Sequence, residues 1–277
     1  VKRPALVVLV LALLIALAFL RHRQAREPDP RGLQARAAIV DGAPTGDAGA
    51  ASLVVAPAPA PALPGTIRGV VRINGPVPAR KSYSTDDDPD CAAMHGKKIV
   101  SDELVVDPYG NMQWAFVYIK SGLTGAVPPA PRTPVLLDQV SCVFTPHVSG
   151  VRVGQPLVVL NSDSLLHTVH ALPFGNKEFN LNMPKGSREI TRTFGQPEVM
   201  IKIVCDLHPW MSAWIGVLDH PYFGVTNAVG SYVIRDVPPG NYEVEAWHEK
   251  CGPRKLPIAV APGRESLLDF ALDEKTK

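Results

Sequence analysis

Helical periodicity, cysteine and net charge are all scarce in this chain. After the first twenty residues no segment keeps a 3.6-residue apolar spacing through three turns, which disfavours a helix-rich body. The formal net charge is only +2 among 277 residues, so charge gives no reason to expect a nucleic-acid partner. Four cysteines occur and none precedes Cys91, so a lipoprotein anchor is not expected. The chain also lacks H-E-x-x-H, G-x-S-x-G, a P-loop and the C-x-x-C-H of covalent haem. Nothing in the sequence suggests substrate turnover, and a non-enzymatic protein is expected.

What is present begins with an uncharged run, Pro4 to Leu20 (PALVVLVLALLIALAFL). Seventeen residues make a helix of about 25 Å, which crosses a hydrocarbon core if flanking Arg side chains snorkel. The run passes straight into Arg21-His22-Arg23 with no small-x-small cleavage pattern, so an uncleaved transmembrane anchor is expected rather than a signal peptide. Residues 1–26 therefore read as an anchor with a basic flank, in contact with the lipid bilayer through 4–20. Residues 27–66 hold seven Pro and eleven Ala and read as an extended tether, able to reach about 120 Å.

From Ile67 onward, short β-branched runs alternate with Gly, Pro, Asn and Asp. Strands are expected at 67–73, 103–106, 114–119, 151–153, 157–160, 199–204 and 215–218, which makes the body all-β. The last sixty residues read as a separate unit: Gly230 to Gly240 is a strand and a tight turn, and Asn241 to Trp247 alternates Tyr, Val and Ala inward with Glu outward. Later strands are expected at 256–260 and 267–272. His248 and Glu249, at a strand end, are expected to be solvated.

The chemistry concentrates in Cys205-Asp206-Leu207-His208-Pro209-Trp210-Met211, a C-x2-H-x2-M loop directly after an apolar strand. A thiolate, an imidazole and a thioether on one loop can turn toward a single point if a second imidazole arrives from elsewhere. His167 is the candidate, since a strand at 157–160 ends in the turn Asn161-Ser162-Asp163 and leads to His167-Thr168-Val169-His170. Two His, one Cys and a weakly bound Met are the donor types of blue copper. His170 lies three residues beyond His167, so strand alternation aims it at the other face.

The segment from about Val151 to Leu218 resembles the cupredoxins, most closely the amicyanin-like and plastocyanin-like ones, with their N-x-D turn before the first His and their C-x-x-H-P-x-M loop. The resemblance implies His167, Cys205 and His208 as equatorial ligands of one type 1 copper ion and Met211 as the axial ligand. Asn161 and Thr168 would support the site, Thr168 standing where the family often has Asn. Pro209 and Trp210 flank His208 and read either as an apolar docking surface or as ordinary loop packing. The fold implied is a Greek-key cupredoxin-like sandwich over 67–220, in which 67–150 is either its front half or a distinct subdomain. Gly230 to Trp247 likewise resembles the carboxypeptidase regulatory-like, transthyretin-like modules through G-x-Y-x-I-x-x-V-P-P-G-x-Y-x-V-x-x-W, which implies a small β-sandwich over 221–277.

On the oxidising side of a membrane, Cys91 and Cys142 are expected to form a disulfide; a second metal site with His95 and His147 is the alternative, although the spacings are not a strong zinc pattern. Cys251 has no evident mate. Arg21, Arg23 and Arg26 outnumber Lys2 and Arg3, which by the positive-inside rule would keep the body in the cytoplasm. The copper and thiol chemistry points instead to the periplasmic or extracytoplasmic side, and it decides the expectation. The function implied is a membrane-tethered one-electron carrier serving a redox protein or a respiratory or photosynthetic membrane complex. The alternative is an accessory subunit bracing such a complex, with copper absent or incidental. Copper delivery is disfavoured, because five Met do not provide several surface clusters.

Overall fold

The structure is a computed structural model that describes residues 62–275. The chain opens with β1 (Gly65–Ile73), β2 (Ser82–Ser84), α1 (Pro89–His95), β3 (Lys98–Val100) and β4 (Phe116–Ser121). It continues through β5 (Val135–Val140), β6 (Val143–Thr145), β7 (Val148–Arg152), β8 (Leu157–Asn161) and β9 (His167–Leu172). Next come β10 (Phe179–Met183), β11 (Ile190–Arg192), β12 (Glu198–Val204) and β13 (Ser212–Leu218). The end supplies β14 (Phe223–Val225), β15 (Ser231–Val237), β16 (Gly240–His248), β17 (Gly252–Val260), β18 (Glu265–Leu267) and β19 (Phe270–Leu272). The body is all-β, as the strand-length runs and frequent turn residues imply.

Two sandwiches account for most of these strands. In the first, a sheet ordered β10-β9-β12-β13-β7 faces one ordered β11-β8-β5-β6, and both bury Leu137, Val159, Val169, Ile201, Ile203 and Ile215 between them. In the second, β15-β1-β18, with β19 also on β1, faces β14-β4-β16-β17 over Ile67, Val71, Val117, Ile234, Val244 and Phe270. The residues that point inward alternate along β1, as a half-buried strand requires.

The division at residue 220 that the sequence suggests is not the division of the sheets. β1 lies between β15 and the β18/β19 edge, and β4 lies between β14 and β16. Without these two central strands, residues 221–277 would present two broken sheets with their apolar faces unmatched. The first sandwich, residues 135–218, is therefore an insertion between β4 and β14 of the second. β1 also begins at Gly65, inside the stretch expected as tether. The strand expected at 103–106 is reduced to a single bridge between Val106 and Met112, in a stretch whose Glu103 carboxylate takes Tyr83 and Lys250 as side-chain partners.

The seam between the sandwiches depends on two glycines. Gly150 on β7 and Gly216 on β13 are register partners, and a Cβ on either would lie 2.2 Å or 2.4 Å from the rings of Phe223 and Phe116 respectively. Those rings stack on each other at 5.5 Å between centroids. Bare backbone on two adjacent strands thus makes the shallow seat into which the paired aromatics settle.

Among the described residues no helix is long and apolar enough to cross a membrane. The anchor expected at 4–20, its basic flank and nearly all of the tether lie outside the described residues.

Candidate metal centre

The loop from Cys205 to Met211 joins β12 to β13 and is closed by its own backbone: the Cys205 N–H donates to the Met211 carbonyl at 3.2 Å, and the Met211 N–H to the His208 carbonyl at 2.9 Å. Hairpin pairing of β12 with β13 fixes both ends. β9 pairs with β12 on the same sheet, with His170 opposite Val204, so His167 and Thr168 at the start of β9 face the loop. Residues separated by about forty positions meet because two adjacent strands end at the same edge.

One donor atom from each of His167, Cys205 and His208 lies within 4.8 Å of the others. The two Nδ1 atoms are 3.0 Å apart, and Cys205 Sγ is 3.5 Å from His208 Nδ1. All three side chains are buried, His167 completely. Two imidazole Nδ1 atoms at that distance cannot both present lone pairs unless a proton or a cation lies between them. Burial alone would push the Cys205 thiol up, but hydrogen bonds with His167, His208 and the backbone N–H of Thr168 and Leu207 outweigh it and bring it down to about 5. The site thus offers a thiolate and two imidazoles, a soft and borderline donor set that fits copper, and Met211, whose carbonyl accepts the Cys205 N–H, is buried in the same core cluster as Cys205.

The expected supporting residues are in contact with this group or with its frame. The Thr168 N–H points at Cys205 Sγ at 3.3 Å, and the Thr168 hydroxyl oxygen accepts the Asp206 N–H at 2.7 Å. Thr168 therefore holds the start of the ligand loop. Asn161 donates to the carbonyls of Leu165 and Met183 at 2.9 and 2.7 Å, tying the turn that leads into β9.

Two residues to which the sequence reading assigned no role at the site complete the arrangement. Asp163 accepts from His167 Nε2 at 2.9 Å, and Asp88 from His208 Nε2 at 2.7 Å. Burial works against the charge on Asp88, yet hydrogen bonds from the Cys91 N–H and from His208 leave its carboxyl below the usual range. His208 is raised in turn: burial opposes its charge, and contact with Cys205 and Asp88 more than compensates. Asp88 caps α1, with Pro89 at the first helical position, so its place is readable from D-P-x-C as a helix start, though not its partner. Asp163 belongs to the N-x-D turn already singled out.

Cys91 and Cys142 form the expected disulfide, with 5.9 Å between their Cα atoms. It packs with Ile99, Val143, Leu165 and Trp210 in a small separate core. Trp210 is half-buried: its indole N–H donates to the Cys142 carbonyl at 3.0 Å and its ring lies 5.4 Å from that of His208. Of the docking pair, only Pro209 is exposed, next to exposed Leu207.

Other residues fall outside the centre. His170 faces away and bonds Asp206 and Glu178, both at 3.0 Å, which raises it. His95 reaches the Ser141 carbonyl, and His147 pairs with Glu249. His248 and Glu249 are not solvated as expected: β16 runs through the second sandwich's sheet to its end, burying His248, and burial lowers that imidazole to about 4. Glu245, expected outward, is buried too and accepts a hydrogen bond from the Tyr118 hydroxyl. Cys251 is a buried free thiol pushed up to about 12 by burial and by the nearby Glu274 and Asp273.

Neither a protein-family description nor a curated protein matches the chain. Solved structures match part of it. A Cu-containing nitrite reductase (NirK) from Thermus scotoductus SA-01 is 21% identical over 35% of this chain and 25% of its own, with a TM-score of 0.29. A purple cupredoxin from Nitrosopumilus maritimus is 19% identical over 30% of this chain and 97% of its own, with a TM-score of 0.26. A reduced amicyanin mutant is 21% identical over 36% of this chain and 97% of its own, with a TM-score of 0.28. The chain thus spans a quarter of the nitrite reductase and almost all of the two smaller proteins, and the matches cover between 30% and 36% of this chain.

Proposed function

We propose that the protein is a membrane-tethered one-electron carrier built around a single type 1 copper site. The observation that carries this reading is the convergence of two imidazole Nδ1 atoms and one low-pKa thiol in a buried cluster. His167, Cys205 and His208 would hold the ion, with Met211 as a weaker fourth donor. Copper held there would alternate between its cuprous and cupric states, taking up or releasing one electron.

The chain's own residues do the rest. The backbone-closed loop and the β9 edge hold the donors in place, which limits rearrangement between the two states. Thr168 directs its N–H at the Cys205 sulfur, a contact of the kind that tunes potential. Burial keeps water from the thiolate. The carrier reading involves no substrate turnover, places the body on the extracytoplasmic side, and uses residues 4–20 as the anchor. The partner would be a redox protein or a respiratory or photosynthetic membrane complex.

One observation favours a second reading. The outer edge of His208 is closed by Asp88, and Trp210 is engaged in packing. A bracing subunit of a membrane complex has no need of an open imidazole edge. Metal analysis and a visible spectrum of the purified chain separate the two. The carrier reading expects one copper per chain and a strong thiolate-to-copper band that Cys205→Ser abolishes. Absence of that band after copper loading, with stoichiometric co-purification in a large complex, would support the brace.

A further inference from the structure

We propose that Asp88 and Asp163 are paired positioning residues of the metal centre, one for each imidazole, and that the Cys91–Cys142 disulfide sets the distance between them. This rests on the copper reading above.

Each carboxylate bridges one half-cystine to one imidazole. Asp88 accepts the Cys91 N–H at 2.8 Å on one oxygen and His208 Nε2 at 2.7 Å on the other. Asp163 accepts the Ser141 N–H at 2.6 Å on one oxygen, and the Cys142 N–H at 2.8 Å with His167 Nε2 at 2.9 Å on the other. A carboxylate can only accept, so both Nε2 atoms must carry hydrogen. A neutral ring protonated there has its lone pair on Nδ1. Both Nδ1 atoms are the ones that face each other and Cys205. The two acids therefore select, in both rings, the tautomer that can bind a metal at the convergent point, and they fix the ring orientation.

The carboxylates are themselves held in place. Ser141 and Cys142 have φ of 55° and 52°, a left-handed pair that makes the two-residue turn between β5 and β6. Asp163 receives both of the turn's N–H groups. Asp88 is fixed as the cap of α1. The disulfide then joins the two frames, so the linkage runs as a closed circuit: Cys91, Asp88, His208, the donor point, His167, Asp163 and Cys142. The short segment carrying β2, α1 and β3 is the part of the chain that brings Asp88 to the site.

The test is copper titration of the full chain, wild type against Asp88→Asn and Asp163→Asn. Asn keeps the shape but has one acceptor oxygen in place of two, so its NH2 must face at least one of the N–H donors that each carboxylate satisfies. The expected result is copper binding about 10- to 100-fold weaker. A shifted thiolate-to-copper band and a changed reduction potential are expected with it, in variants whose near-ultraviolet circular dichroism is that of wild type. Asp163 also braces a turn; should its variant fail to fold, the more exposed Asp88 decides alone. Affinity within twofold and an unchanged band in folded Asp88→Asn would overturn the proposal. A wild-type chain that binds no copper is a separate result and overturns the copper reading itself.

Discussion

The Oδ2 atom of Asp88 sits 2.7 Å from Nε2 of His208, so the imidazole of the ligand loop turns its far edge into protein rather than water. The partner residue arrives from 120 positions upstream on a segment tied down by a disulfide. On the proposed carrier function, an electron leaving by this edge would pass through that cover.

The thiol titrations separate the two free cysteines. In metal-free protein, ultraviolet absorbance should report one thiolate per chain at neutral pH, lost as pH falls through about 5, where Cys205 protonates. Cys205→Ser should remove it. A second thiolate should emerge only near 12, from Cys251. The folded pKa of Cys205 lies below its ordinary value of 9.0, so its contribution to stability is present above that value and is lost as pH falls toward 5.

His248 should make the second sandwich acid-sensitive. Its folded pKa of about 4 is below the ordinary 6.5, because burial penalises the imidazolium. Stability is then full above 6.5 and falls as pH drops through that window to about 4. The full effect is on the order of 3 kcal/mol. Urea unfolding from pH 7 to pH 4 should show it, and His248→Gln should flatten the slope.

Reduction of the disulfide should cost stability and uncover the site. The cysteines are 51 positions apart, for which the chain-entropy account gives about 4 kcal/mol. Unfolding with and without a reductant measures this. Hydrogen exchange at α1 should accelerate in the reduced protein, since the helix has Cys91 as its one buried residue.

Gly216→Ala should loosen the seam. Its Cβ would lie 2.4 Å from Phe116 Cζ, so the ring must shift, at a cost of about 1 to 3 kcal/mol. A lower thermal midpoint with an unchanged copper band is the expected outcome, because the glycine is far along β13 from the ligand loop.

A fragment of residues 221–277 should show no cooperative unfolding. Its two sheets lack β1 and β4, the strands in their centres.

The ligand loop was legible because its donors lie within seven residues of one another, and His167 because a strand and an N-x-D turn lead into it. The disulfide followed from cysteine count and expected compartment. The partner of Asp88 was not legible: Asp88-Pro89 marks a helix start, but nothing nearby announces a histidine 120 residues away. Asp163 was quoted only as part of the turn, since its value depends on the left-handed backbone at Ser141 and Cys142. The division of the sheets does not follow sequence order, for a related reason. β1 and β4 have strand composition, but an alternating apolar run carries no record of which neighbours it joins. His248 reads as exposed because it sits at a strand end, while its burial comes from packing at the end of β16.

Because the first sandwich enters from β4 and returns to β14, it has two covalent crossings, at 122–134 and 219–222, rather than one hinge. A protease that nicked the longer crossing would leave the sandwich that carries the candidate metal centre still attached to its neighbour. Release of that sandwich would take two cuts, so a limited digest should yield nicked protein that separates only under denaturing conditions.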